Sequence, residues 1–333
     1  MRNKKQRVHL FLAGAILSIA APVALTQTAT ISAAQAYPSK PIRLIVPYPP
    51  GGGADILARA LGQKLTETFG QSVVVDNRAG ATGIVGTDIV AKAAPDGYTL
   101  IMITSDQTIV SSLYAKLPYD LVEDFAPATL ATSQPYIMGV HPSVAAKSVK
   151  EFIALAKSKP GQLNYASGGN GGTPHLAVEQ LKTMAGINMV HVPYKGGGPA
   201  LLALISGEVA MLFSSLPSTL PQVKAAKVRA LAVSSAKRSP AVPELPTVAE
   251  SGVPGFAVTS WYGILAPAKT PKPIIARLHA EIVKELNTRE FRARLANDGT
   301  DVVGSTPQAF ADFMKADIAK WVKVIKASGV RMD

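Results

Sequence analysis

An α/β fold built from more than one domain is predicted by three features of the sequence. From Pro41 onward, short β-rich runs alternate with Gly-, Ser- or Pro-rich turns and amphipathic helical stretches. The 333-residue length exceeds what one hydrophobic core usually organises. Several of the turns rich in Gly, Ser or Thr stand immediately before a helical stretch, as strand-to-helix turns do in sheets covered by helices.

Residues 42–46 are apolar enough for a buried strand, 47–53 form a loop, and 54–69 form a helix with Ile56, Leu57, Ala60, Leu61 and Leu65 on one face. A strand at 72–76, a loop at 77–83 and a helix at 84–93 follow. Pro95-Asp96-Gly97 turns the chain into a strand at 98–103 and then a short helix after Thr104-Ser105-Asp106. A second set begins near Tyr136 with a strand at 137–141. Ser148-Val149-Lys150-Glu151 has the spacing of a capping box, opening a helix that runs to about Lys157. Strands at 163–166 and 189–192 alternate with helices at 174–184 and 199–205, and strands at 209–213 and 228–233 flank a segment rich in Ser and Pro. A strand near 261–266 precedes two long helices, announced by Thr270-Pro271 and Thr306-Pro307. Ile275, Leu278, Ile282 and Leu286 stripe the first, and Phe310, Phe313, Ile318, Trp321 and Ile325 the second; such stripes read as core.

Residues 1–36 read as a cleavable export signal. Arg2, Lys4, Lys5 and Arg7 precede an apolar stretch from Leu10 to Ala21, and Ala34-Gln35-Ala36 offers a small-x-small cleavage site before Tyr37. Gly14, Ser18 and Pro22 interrupt the apolar run, which is shorter than the roughly 20 residues a membrane span needs. The leader holds four of the 34 basic residues, so the rest of the chain sets 30 Lys and Arg against 22 acids, a net charge of +8. Those charges are dispersed and only 6% of residues are aromatic, which leaves neither a phosphate-tracking stripe nor a base-stacking platform; no nucleic-acid partner is expected. The absence of cysteine excludes disulfides, thiolate metal sites and a cysteine nucleophile.

Five loops share one property: each is rich in Gly, Ser or Thr and precedes a helix. They are 49–53, 80–83, 104–106, 167–173 and 195–198. In an open sheet such loops gather at the strand carboxyl ends, where first-turn amides lack intrahelical partners and the helix dipole favours an anion. A ligand cleft for a carboxylate or phosphate is therefore expected. Catalytic patterns are weaker. The five histidines include no H-E-x-x-H spacing, no G-x-S-x-G elbow or P-loop occurs, and Gly80-x-x-Gly83-x-x-Gly86 is not the dinucleotide fingerprint. No metal or cofactor is expected. Ser167 and His175 lie close in sequence, but no Asp in their loop orients the ring, and His175 reads as a surface or capping residue. Asp55 is equally suited to capping helix amides and to touching ligand, Arg78 to an interdomain salt bridge, Lys195 to long-range attraction, and Tyr48 and Trp261 to an apolar wall, with Trp261 more at home in the core.

Several segments resemble the extracytoplasmic solute receptors of tripartite tricarboxylate transporters, the Bug family. They include Tyr37-Pro38-Ser39-Lys40-Pro41, Val46-Pro47-Tyr48-Pro49-Pro50-Gly51-Gly52, Asp76-Asn77-Arg78-Ala79-Gly80, Ala94-Pro95-Asp96-Gly97-Tyr98, Leu117-Pro118-Tyr119-Asp120, Asn164-Tyr165-Ala166-Ser167-Gly168, Val192-Pro193-Tyr194-Lys195-Gly196 and Trp261-Tyr262-Gly263. The resemblance implies a type II periplasmic-binding-protein fold: two α/β lobes with mixed sheets joined by two crossover strands. With crossings near 127–135 and 257–261, the first lobe would comprise 37–130 and 259–333, and the second 131–258. It also implies a small carboxylate held by backbone amides, hydroxyls and waters and delivered to membrane permease subunits, by a monomer in the periplasm. The ligand residues it implies are Tyr48, Gly51, Gly52, Gly53, Asp55, Ser167, Gly168, Thr173, Tyr194, Lys195, Gly196 and Gly197, and Thr82, Ser105, Gly172 and Ser214 are expected beside them.

Two departures from the family pattern stand out. Gly80-Ala81-Thr82-Gly83 replaces a more usual Gly-Ala-Gly-Gly, and Ser214 stands where relatives often carry an acid. The second argues against a ligand ammonium group. An exported enzyme using Ser167 and His175, and an accessory that presents ligand to a membrane sensor, are the alternatives.

Overall fold

The apolar run IRLIV becomes β1 (Ile42–Val46), where residues facing both sides of the sheet are buried, and this explains why no polar alternation marks it. In the computed structural model, which describes residues 37–330 apart from 115, 195 and 298, β1 is followed by α1 (Gly53–Phe69) and β2 (Val73–Asn77). The expected leader and Lys195 lie outside the described residues. α1 stops where Gly70 adopts a left-handed φ of 65° and its N–H donates to the Thr66 carbonyl. A single 3-10 turn, Ala81–Gly83, leads into α2 (Ile84–Ala91), β3 (Thr99–Thr104) and α3 (Ser105–Leu113). β1 pairs in parallel with β2 on one side and β3 on the other.

β4 (Phe125–Val140) runs 16 residues, far longer than the strand expected at 137–141. Pro127 and Pro135 hid its first part, because proline removes a ladder donor. The structure accommodates them by shifting register between Pro127 and Thr129 and again between Leu130 and Thr132. After α4 (Val149–Ser158) come β5 (Asn164–Ser167), α5 (Thr173–Ala185), β6 (Val190–Pro193), α6 (Gly197–Ser206), β7 (Met211–Ser215), α7 (Leu216–Lys224) and β8 (Arg229–Val233). β9 (Thr259–Pro267), α8 (Lys272–Leu286), α9 (Arg289–Asn297), β10 (Asp301–Val302) and α10 (Pro307–Ser328) complete the described chain.

One mixed sheet runs in the order β2-β1-β3-β9-β4-β7-β5-β6, with β8 and β10 also pairing β4. β4 spans both halves: residues Phe125 to Pro135 pair antiparallel with β9, and Tyr136 to Val140 pair with β7 and β8. Ile45, Ile101, Ile103, Trp261, Leu265 and Phe310 form one core cluster; Phe152, Tyr165, Leu176, Phe213 and Phe256 anchor another. Trp321 and Val324, near the end of α10, join the second cluster, so this helix packs along both halves.

The ends of the helices are set by local chemistry. Thr306 accepts from the Ala309 N–H at 3.2 Å with Pro307 in the first turn, as its sequence suggests. At α4 only half of the expected capping box forms. Ser148 accepts from the Glu151 N–H, but the Glu151 carboxylate takes its bond from the Lys147 N–H at 2.7 Å, one residue early. α7 was masked by its Ser/Pro composition; Pro217 in the first turn costs no hydrogen bond, and Pro221 interrupts only the middle of a short helix. Among the described residues no helix is long and apolar enough to cross a membrane.

Candidate functional site

The carboxyl ends of β1, β2, β3, β5, β6 and β7, with the residues that follow them, all line one cavity of about 700 Å³. Gly51 and Gly52 come from the first, Thr82 from the second, Asp106 from the third, Gly168, Gly169, Asn170 and Gly172 from the fourth, Gly197 and Gly198 from the fifth, and Ser214, Ser215 and Ser218 from the last. All five glycine- or hydroxyl-rich loops singled out in the sequence therefore meet in one place. α1, α3, α5, α6 and α7 each begin at its wall, so unpaired first-turn amides gather around it. Among the described lining residues there is no Lys or Arg, and Asp106 is the one acid.

Of the expected ligand residues, Gly51, Gly52, Thr82, Gly168, Gly172, Gly197 and Ser214 line this cavity. Gly53 lines an adjoining cavity of about 480 Å³. The other described ones, Tyr48, Asp55, Ser105, Ser167, Thr173, Tyr194 and Gly196, are not among its lining residues. Asp55 is 3% exposed and accepts from the Gly51 N–H at 2.9 Å, while Asn77 donates both to Asp55 and to the Tyr48 carbonyl at 3.0 Å. Burial pushes Asp55 up, but Arg59, the Gly51 amide and Asn77 outweigh it and hold the carboxyl below the ordinary range. Asp55 thus fixes the first glycine loop rather than facing the ligand space. Ser105 and Thr173 are buried and share a 2.8 Å hydroxyl contact. Tyr194 packs against the Ala200, Leu201 and Leu204 cluster instead of the cavity. Gly196, with φ of 106°, donates its N–H to the Gly168 carbonyl at 3.0 Å and so clasps two rim loops together.

Two single-residue expectations are corrected. Arg78 pairs with Asp76 in the same turn, at 3.0 Å, and among the described residues makes no other ion pair. His175 is buried at 6% exposure rather than on the surface; its ring stacks on His191 with centroids 3.9 Å apart. His175 Nδ1 accepts from the Gly171 N–H at 3.1 Å, and His191 Nε2 meets Ser167 Oγ at 2.7 Å. Ser167 Oγ in turn donates to the Gly169 carbonyl at 2.8 Å, so two stacked imidazoles underlie the 167–173 loop. Burial, then His175, brings His191 down to about 4. Ser167 is wholly buried, which removes its hydroxyl from any substrate in the cavity. Trp261 is core, its Nε1 donating to Asp317 at 3.3 Å.

Sequence reasoning passed over Asp106, although it sits inside one of the five loops. The Tyr48 hydroxyl lies 3.4 Å from its Oδ2 and 2.9 Å from the Thr104 hydroxyl. Tyr48 therefore positions the acid and is not a wall of the cavity. Burial raises the Asp106 carboxyl, with hydrogen bonds from Thr173 opposing, and burial and Asp106 together raise the Tyr48 phenol well above its ordinary value. Because this acid faces the cavity, Ser214 in place of an acid no longer argues against a ligand ammonium group. Tyr136, Leu212 and Phe213 were also missed; they lie on β4 and β7, outside the loops that carry the glycine signal.

Comparison with known proteins gives a consistent picture. The model of the tripartite tricarboxylate transporter family receptor matches residues 57–330. Protein BugT of Bordetella pertussis is 37% identical over 98% of this chain and 97% of its own. Among solved structures, Rpa4515 of R. palustris with adipate superposes with a TM-score of 0.79 at 37% identity, covering 89% of this chain and 99% of that one. MatC from Rhodopseudomonas palustris with bound malate has a TM-score of 0.75 at 32% identity, over 87% and 100% respectively.

Proposed function

The chain belongs to the tripartite tricarboxylate transporter receptor family, and on that premise we propose that it captures a small carboxylate in the 700 Å³ cavity and delivers it to the membrane permease subunits of such a transporter. The observation that carries this reading is the convergence of glycine amides and hydroxyls from six strand ends on one space whose described lining holds no cation. Fixed amide dipoles at helix starts bind a carboxylate without the flexibility of a long basic side chain. Adipate and malate in the two solved relatives support a diacid or hydroxy-diacid as the class.

The leader at 1–36 would direct export to the periplasm and be cleaved before Tyr37. There the protein acts as a monomeric receptor and not as an enzyme, a reading supported by the burial of Ser167. Two lobes, 37–130 with 259–333 and 131–258, would close over the ligand by rotation about β4 and β9, which link the sheet halves. Closure would mark the loaded state for the permease.

Calorimetry of the purified protein against mono-, di- and tricarboxylates tests the ligand class, with micromolar or tighter binding of at least one acid expected. Stabilisation by phosphate esters alone would overturn it. X-ray scattering with and without the bound acid tests closure; an unchanged radius of gyration and pair-distance distribution removes that step.

A further inference from the structure

The adjoining cavity of about 480 Å³ shares Gly51, Ser215 and Ser218 with the first but has a different chemistry. Ile56, Leu57, Phe291 and Leu295 give it an apolar wall, and among the described residues Arg294 is its one lining side chain with a formal charge. Ile56 is 49% exposed beside this cavity. Among the described residues Arg294 has neither a hydrogen-bond nor an ion-pair partner. α1 joins the two spaces. Gly51 and Gly52, just before it, line the larger cavity, and Gly53, Ile56 and Leu57 within it line the smaller.

Resting on the carboxylate reading above, we infer that the smaller cavity is a tail subsite: it takes the aliphatic body of an elongated carboxylate along Ile56, Leu57, Phe291 and Leu295, and Arg294 anchors a second carboxylate at the far end. A short acid fills only the larger cavity and leaves Arg294 in water, where a screened charge contributes little. A longer acid displaces that water from the apolar wall and brings its distal carboxylate to the guanidinium in a drier setting, where the pairing strengthens. The apolar wall and the single cation thus select for length and for a second charge separately.

Isothermal titration of the purified protein with succinate, adipate, suberate and octanoate separates the two effects. Affinity is expected to rise with chain length, by up to about fourfold per added methylene, corresponding to the ~0.8 kcal/mol released by burying one. Arg294→Gln should weaken suberate at least about fivefold more than it weakens octanoate, which lacks the distal charge. Ile56→Ser should weaken suberate and octanoate together, and more than succinate. Thermal unfolding of both variants checks that these exposed positions leave the fold intact. Affinity that is flat or falls with length, or an Arg294→Gln loss equal for suberate and octanoate, overturns the subsite while leaving carboxylate binding in place. Failure of every acid to bind overturns both.

Discussion

Asp106 accepts two hydrogen bonds from Thr173, one from its N–H at 3.3 Å and one from its hydroxyl at 2.8 Å, tying the first turn of α3 to the first turn of α5 across the floor of the cavity. Asp106→Ala removes the acceptor for two buried donors and is expected to cost about 2–4 kcal/mol in urea unfolding at neutral pH. Asp106→Asn keeps an acceptor and removes the charge. Because burial raises this carboxyl in the folded protein, its contribution to stability is full below the unfolded-state value and is lost as pH rises through the folded one. The Asn variant should therefore gain on the wild type at pH 8 and lose that advantage towards pH 4. It should also bind anions more tightly at pH 8. An Asn variant as damaged as the Ala variant at both pH values would sink this account.

The stacked pair His175 and His191 gives a second pH dependence, of opposite sign. Glu179 and Lys182 flank it and act on both rings in opposing directions. Burial holds both histidines below the ordinary value, His191 at about 4. Their neutral forms thus contribute stability that is present above the unfolded-state pKa near 6.5 and is lost as pH falls through the folded one. Discounted for solvent reaching a half-buried ring, His191 should account for about 1–2 kcal/mol of destabilisation between pH 7 and 4. Protonating His175 at Nδ1 also removes the acceptor used by the Gly171 N–H, so ligand affinity should fall as His175 takes up a proton. Unfolding curves and calorimetry on His191→Gln test this: its stability profile should be flatter, and a profile parallel to wild type excludes the role.

The alternation of strands and helices was legible because apolar runs such as residues 42–46 and 99–104 are buried on both faces and end in a glycine-rich loop in the first case and a hydroxyl-bearing helix start in the second. β4 was legible only in its last residues, since the register shifts that admit Pro127 depend on β9, more than a hundred positions away. The five loops could be read because helix starts impose small and hydroxylated residues. Which side chains face the ligand could not be read. Asp55, Ser167 and Thr173 share the composition of lining residues, and only tertiary partners such as Asn77, His191 and Asp106 turn them inward to hold the loops. Arg294 lies on a helix that the charged sequence 289–297 did not disclose.

Gly168 approaches the neighbouring rim loop so closely that a Cβ would sit 3.0 Å from the Gly197 nitrogen and 3.1 Å from the Gly196 carbonyl carbon. Both are backbone atoms and cannot swing aside. Gly168→Ala should force the 167–173 and 196–198 turns apart, at a cost of about 1–3 kcal/mol in stability. Ligand affinity should fall at least tenfold, because the amides of α6 move off target. Gly198→Ala, where an added Cβ meets nothing within 4 Å, is the matched comparison. Equal affinity of the two variants would show that this close approach does not shape the site.

Thr82 lies in the left-handed region, at φ 52° and ψ 37°, next to Ala81 at φ 45°. A threonine there pays roughly 1–2 kcal/mol of backbone strain that glycine would avoid. Glycine in turn costs about 0.5–1 kcal/mol more chain entropy on folding. Thr82→Gly should therefore stabilise the protein by only about 0.5 kcal/mol, while removing a hydroxyl and a methyl group from the cavity lining. If the strained turn is retained for the hydroxyl, affinity for the bound acid drops about three- to tenfold while the melting temperature rises slightly, and Thr82→Ser, which keeps the hydroxyl, stays near wild type in affinity. A Thr82→Gly variant that gains stability with no loss of affinity would assign the strain to no function in binding.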